Sequence, residues 1–146
     1  MSDVAAMEAS LVAVADAGVD IRHALFARFF AAYPERRESF MVVDASSRRM
    51  TDETLAMMLG LAKGEGWVWP LVTELVHTHR AYGPLPIAEY DAFIDMTVAE
   101  LGAAAGRDWT SSCAAGWAGQ AETLKTMIRR ARAEWQAALP DPVTAV

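Results

Sequence analysis

Leu71-Val72-Thr73-Glu74-Leu75-Val76-His77-Thr78-His79, with Tyr82-Gly83-Pro84 just beyond it, decides how this chain reads. Counted back from His79 at helical spacing come Val76, Leu75, Val72 and Leu71, all apolar. In a helix the His79 imidazole therefore shares the face that turns towards a packing partner. His77 instead falls among Thr73, Glu74, Arg80 and Ala81, a solvated side. Taken alone, an imidazole on an apolar face reads first as a hydrogen-bonded core histidine. A metal ligand is the alternative, and the flanking sequence has to choose between them.

Working outward from this run, the chain is helical almost throughout. Gly64-Glu65-Gly66 breaks it on the N-terminal side, and Pro70 sets the entry into the helix. At the other end Gly83 accepts a left-handed conformation, while Pro84 and Pro86 stop continuation. Upstream, residues 4–17 form a helix ending at Gly18, and Asp20 is placed to cap a second that runs to about Ala32. Pro34 suits the first turn of a short third helix. Residues 40 to about 47 lack periodicity and read as a loop, followed by a helix to Gly64 with Leu55, Met58, Leu59 and Ala62 on one side. Downstream, a helix spans 87 to about 104, and Thr110 caps a last one that reaches about Ala138, roughly 40 Å at about 1.5 Å per residue. Strand signals are nearly absent and there are no internal repeats, so the expected class is all-α. The tail after about residue 139 reads as disordered.

Composition narrows the function classes. The 146 residues suit one domain, and a 53% hydrophobic content supplies ample core. The formal net charge of −6 argues against nucleic acid, whose phosphates need an excess of Lys and Arg, and disfavours anionic membrane surfaces for the same reason. No stretch approaches the roughly 20 apolar residues of a membrane span. Cys113 is the single cysteine, and the N-terminus carries Asp3 and Glu8 in place of a basic segment leading into an apolar run. A cytoplasmic, soluble protein is expected.

His79-Arg80-Ala81-Tyr82-Gly83-Pro84, followed by Glu89-Tyr90, resembles the globin segment that carries the haem-ligating proximal histidine. Two further blocks fit in order and separation: Leu25 to Glu35 followed by Phe40, and Leu101-Gly102, Asp108-Trp109-Thr110 and Ala115-Gly116-Trp117. The resemblance covers roughly residues 20 to 135 and is closest to bacterial single-domain globins and the haem domain of flavohaemoglobins. It implies a globin fold of about seven to eight helices around a pocket for haem b, with His79 as the iron ligand. Absence of a Cys-x-x-Cys-His motif argues against covalent attachment.

The same resemblance assigns the lining. Leu75 lies against the porphyrin face, Phe40 wedges the haem, and Phe26 covers its distal side, where flavohaemoglobins commonly have a tyrosine. Thr51 falls where a distal histidine or glutamine is usual, with Leu55 one turn later; Thr51-Asp52-Glu53 also has the composition of a helix N-terminus. Tyr90 matches a tyrosine near the proximal histidine, Phe93 lines the same side, and Arg132 stands where the family has a glutamate. Thr78 or a backbone carbonyl one turn back is expected to orient the imidazole. The implied function is reversible binding of oxygen, carbon monoxide or nitric oxide. The alternatives are a globin-fold sensor or interaction module, with or without haem, and a nitric oxide dioxygenase or peroxidase drawing electrons from a separate reductase.

Overall fold

A computed structural model describes residues 3–138, and among them the chain is all-α. Six α-helices follow one another: α1 (Asp3–Asp16), α2 (Arg22–Ala32), α3 (Val43–Ala62), α4 (Val68–His79), α5 (Ile87–Ala105) and α6 (Ser111–Ala138). Short 3-10 turns at Pro34–Ser39, Arg80–Tyr82 and Gly106–Asp108 join some of them. The tail expected to be disordered lies outside the described residues. No helix among those described is long and apolar enough to cross a membrane.

Local chemistry accounts for most helix ends. α2 starts at Arg22, whose N–H donates to the Asp20 carboxylate at 3.0 Å, so Asp20 satisfies one of the free amides of the first turn. The Thr110 hydroxyl accepts the Cys113 N–H at 3.1 Å and caps α6 in the same way. Gly83 takes φ 88 directly after the turn that ends α4, a conformation that a side chain disfavours.

One expectation is corrected. The loop read over residues 40 to about 47 is much shorter, because α3 begins at Val43. Its first turn is held from outside: Arg22, 22 residues earlier, donates to the Asp44 carbonyl at 3.1 Å and pairs with the Asp44 carboxylate at 3.0 Å. Thr51 consequently lies well inside α3, where its buried hydroxyl donates to the Ser47 carbonyl at 2.8 Å. It caps nothing.

α6 is the spine, packing on α1, α3, α4 and α5, while α2 lies on α5. Trp117 of α6 is fully buried, and its indole N–H donates to the Ser10 hydroxyl of α1 at 2.9 Å. Buried residues form two groups. The larger includes Met7, Met58, Val68, Val72, Val76, Leu101, Trp117 and Leu124; the smaller contains Leu25, Phe26, Phe29 and Phe93, with Phe30, Tyr33, Phe40, Met50 and Met96 packed against it.

The α3–α4 crossing is tight at Gly60. A Cβ there would lie 2.8 Å from the Trp67 ring and 2.9 Å from a methyl of Val68, which is fully buried. Alanine normally gains about 1 kcal/mol over glycine inside a helix. Overpacking costs about 1–3 kcal/mol and wins here. Gly60→Ala should therefore lower the urea midpoint; an unchanged or higher midpoint would show that Trp67, which is 41% exposed, swings aside.

Candidate functional site

α4 brings His79 to its last turn with Val72 and Val76 buried on the same face. The His79 Nδ1 sits 2.6 Å from the Leu75 carbonyl oxygen. A carbonyl can only accept, so Nδ1 donates, and in the neutral ring the lone pair is then on Nε2. The Thr78 hydroxyl donates to the same carbonyl at 3.1 Å and is not the group that holds the ring. The half-buried imidazole meets Tyr90 edge-on at 5.8 Å between centroids and Tyr82 at 6.2 Å.

Beside it lies a cavity of about 410 Å³ lined by Val76, His79, Arg80, Ala81, Gly83, Pro84, Tyr90, Arg132 and Trp135. Four segments build it: α4, the turn after it, the first turn of α5 and the end of α6. Burial pushes the Tyr90 phenol above its ordinary pKa, and the neighbouring Arg132 cation opposes that rise. Tyr90 thus stays a neutral phenol throughout the physiological range. Arg132 also donates to the Leu85 carbonyl, anchoring the loop that closes the cavity.

The eight residues expected to surround one haem occupy four places. His79 and Tyr90 share the cavity just described, and half-buried Leu75 packs at the edge of the larger core. Phe26, Phe40 and Phe93 belong to the phenylalanine group. Phe26 is its hub, edge-on to Phe93 at 5.5 Å, Phe30 at 5.6 Å, Phe40 at 5.7 Å and Phe29 at 6.2 Å. Thr51 and Leu55 line a separate cavity of about 300 Å³ between α1, the start of α2 and α3, together with Leu11, Val14, Arg22 and Leu101.

Sequence reasoning missed three features. The α3 residue that meets the phenylalanines is Met50, one position before Thr51 and about 100° away around the helix. Thr54, one turn on, is buried with its hydroxyl donating to the Met50 carbonyl at 2.7 Å. Glu89 is also buried, and it accepts two hydrogen bonds from Arg36, at 2.6 and 2.7 Å. This fork ties the turn preceding Phe40 to the start of α5, fixing Tyr90 and Phe93 relative to Phe40. Trp135 is the third, visible only once α6 is known to run past α4.

On the His79 side the residues fit the haem implied by the resemblance. The ring is held through Nδ1 by a backbone carbonyl, the arrangement usual for a metal-binding imidazole, and Nε2 is left for iron. Among the described residues no group of three or more His, Cys, Asp or Glu side chains could hold a bare ion. A macrocycle brings its own ring nitrogens and needs only the imidazole. No protein-family model matches this chain, and no curated protein does either.

Proposed function

We propose that the chain is a globin-type haem protein that reversibly binds oxygen or another diatomic gas, with His79 as the axial ligand. The observation that carries this reading is the 2.6 Å approach of the His79 Nδ1 to the Leu75 carbonyl, which selects the tautomer whose Nε2 can bind iron. Haem b would be held through the His79 Nε2 and would supply an iron able to bind a small gas. The protein's part is to hold the imidazole and set the polarity around it.

Two features favour gas binding over oxidative chemistry. The residue assigned to the distal face is Phe26, which has no hydroxyl to donate, and its surroundings are four other phenylalanine rings. Near His79 the Tyr90 phenol stands beside the Arg132 cation, at the position where the resemblance expects a glutamate. With a carbonyl and not a carboxylate accepting from its Nδ1, His79 would be a weaker electron donor than an imidazolate-like ligand. Peroxidase-like or dioxygenase turnover is correspondingly disfavoured.

A haem-free globin-like sensor or interaction module is the second reading. The specific observation behind it is that the phenylalanines assigned to the haem pack on one another, Phe30 and Phe40 at 5.2 Å, and so fill their own space. Absorption spectra decide between the two. The haem reading expects a Soret band near full occupancy in ferric and dithionite-reduced forms, shifting on addition of carbon monoxide. Folded protein that takes up no haem when it is added would sink that reading and favour the haem-free module.

A further inference from the structure

Acidic residues outnumber basic ones by 19 to 13, and most arginine and lysine side chains sit in ion pairs with them. Arg80 and Arg132 are in no ion pair among the described residues. Both line the cavity beside His79, and none of its other walls carries a carboxylate. Acids close in sequence are committed elsewhere: Glu89 to Arg36, Asp91 to Arg129 and Glu134 to Arg130. The partners the two arginines do have are uncharged: the Trp135 ring 5.9 Å from the Arg80 guanidinium, and the Leu85 carbonyl and the Tyr90 phenol for Arg132.

Two guanidinium groups lining a concave, mainly apolar surface with no carboxylate among them are an incomplete arrangement in a protein with acid to spare. Half-buried Arg132 loses water without gaining a counter-charge, and exposed Arg80 adds a second cation to the same lining. A ligand carboxylate supplies the counter-charge, and the planar guanidinium fork matches that group's geometry. We propose that this cavity recognises a carboxylate carried on a flat apolar body. Arg80 and Arg132 take the carboxylate, while the rings of Tyr90 and Trp135 and the Val76 side chain pack on the body. The volume of about 410 Å³ lies within the range of small-molecule sites, about 300–1,000 Å³. A free aryl carboxylate and the propionate edge of a tetrapyrrole both offer this chemistry. The inference needs no iron and stands apart from the ligation of His79.

The test uses the purified protein stripped of any haem. It is titrated with 2-naphthoate and the neutral 2-naphthylmethanol by calorimetry, and with metal-free protoporphyrin IX and its dimethyl ester by fluorescence. In at least one pair the acid should bind about tenfold or more tightly than its neutral partner, as expected for a charge-assisted contact. Arg80→Gln combined with Arg132→Gln should erase the preference with the far-ultraviolet circular dichroism unchanged. Preference in the naphthalene pair assigns the site to free carboxylates, and preference in the porphyrin pair alone assigns it to a tetrapyrrole edge. Equal binding of acid and neutral forms, a preference that survives the double substitution, or no binding of any of the four overturns the proposal. Haem uptake by the same preparation is read separately. A carboxylate preference without haem uptake would sink the gas-binding function and leave this site standing.

Discussion

His79→Ala is expected to reduce haem content from near one per chain to near none while leaving the helical circular dichroism unchanged. The fold should survive because the imidazole is only half-buried and sits in the last turn of α4, with Val68, Val72 and Val76 of the same helix still packed in the core. Haem should be lost because the lining of this cavity offers no other imidazole to replace His79. His79→Gly with added imidazole sharpens the result, since a free base occupying the vacated space should restore the Soret band. Unchanged haem content in the alanine variant would refute His79 as the axial ligand and move the search to other contacts.

That experiment matters because the elements and the site were legible to different degrees. Helix ends written in local chemistry were readable from sequence: Gly18, Asp20, Pro34, Gly83 and Thr110 all stand at the boundaries they predict. The start of α3 was not readable, because its first turn is held by Arg22 reaching Asp44 across 22 positions. No window of local periodicity contains that contact. The difference between Met50 and Thr51 is of another kind. Neighbouring residues on a helix point about 100° apart, and both lie in a mixed stretch whose pattern fits either phase. The resemblance places Thr51 at the distal position, whereas partly buried Met50 is the α3 residue packed against the phenylalanines.

The His79 site was legible in part for a related reason. The apolar face of α4 and the position of Tyr90 at the opening of α5 are local patterns. Arg36 forking onto Glu89, and Arg132 and Trp135 arriving from the end of α6, depend on how helices far apart in sequence come together. The balance of charge in the cavity therefore emerges only in the folded chain, although every arginine is plain in the sequence.

Phe26→Ala should be the most destabilising of these substitutions, costing about 3–5 kcal/mol in chemical denaturation of the haem-free protein. Phe26 is 4% exposed and touches four other phenylalanine rings edge-on, so its removal forfeits apolar burial and four favourable ring contacts and leaves a void. Against a total stability of about 5–15 kcal/mol, a loss of this size leaves many domains partly unfolded. Phe26→Leu keeps most of the volume and should cost less. The haem-free protein is the right sample because it separates the two functional readings. If the phenylalanines form a self-sufficient core, the full penalty appears without cofactor, and adding haem changes it little. If the space among them is reserved for haem, the rings are loosely held until it binds. The Phe26→Ala penalty would then be small in the haem-free protein and would grow on loading. A small penalty at first followed by a large one would make the phenylalanine group part of the haem site, and a large constant one would make it structural core beside the His79 cavity.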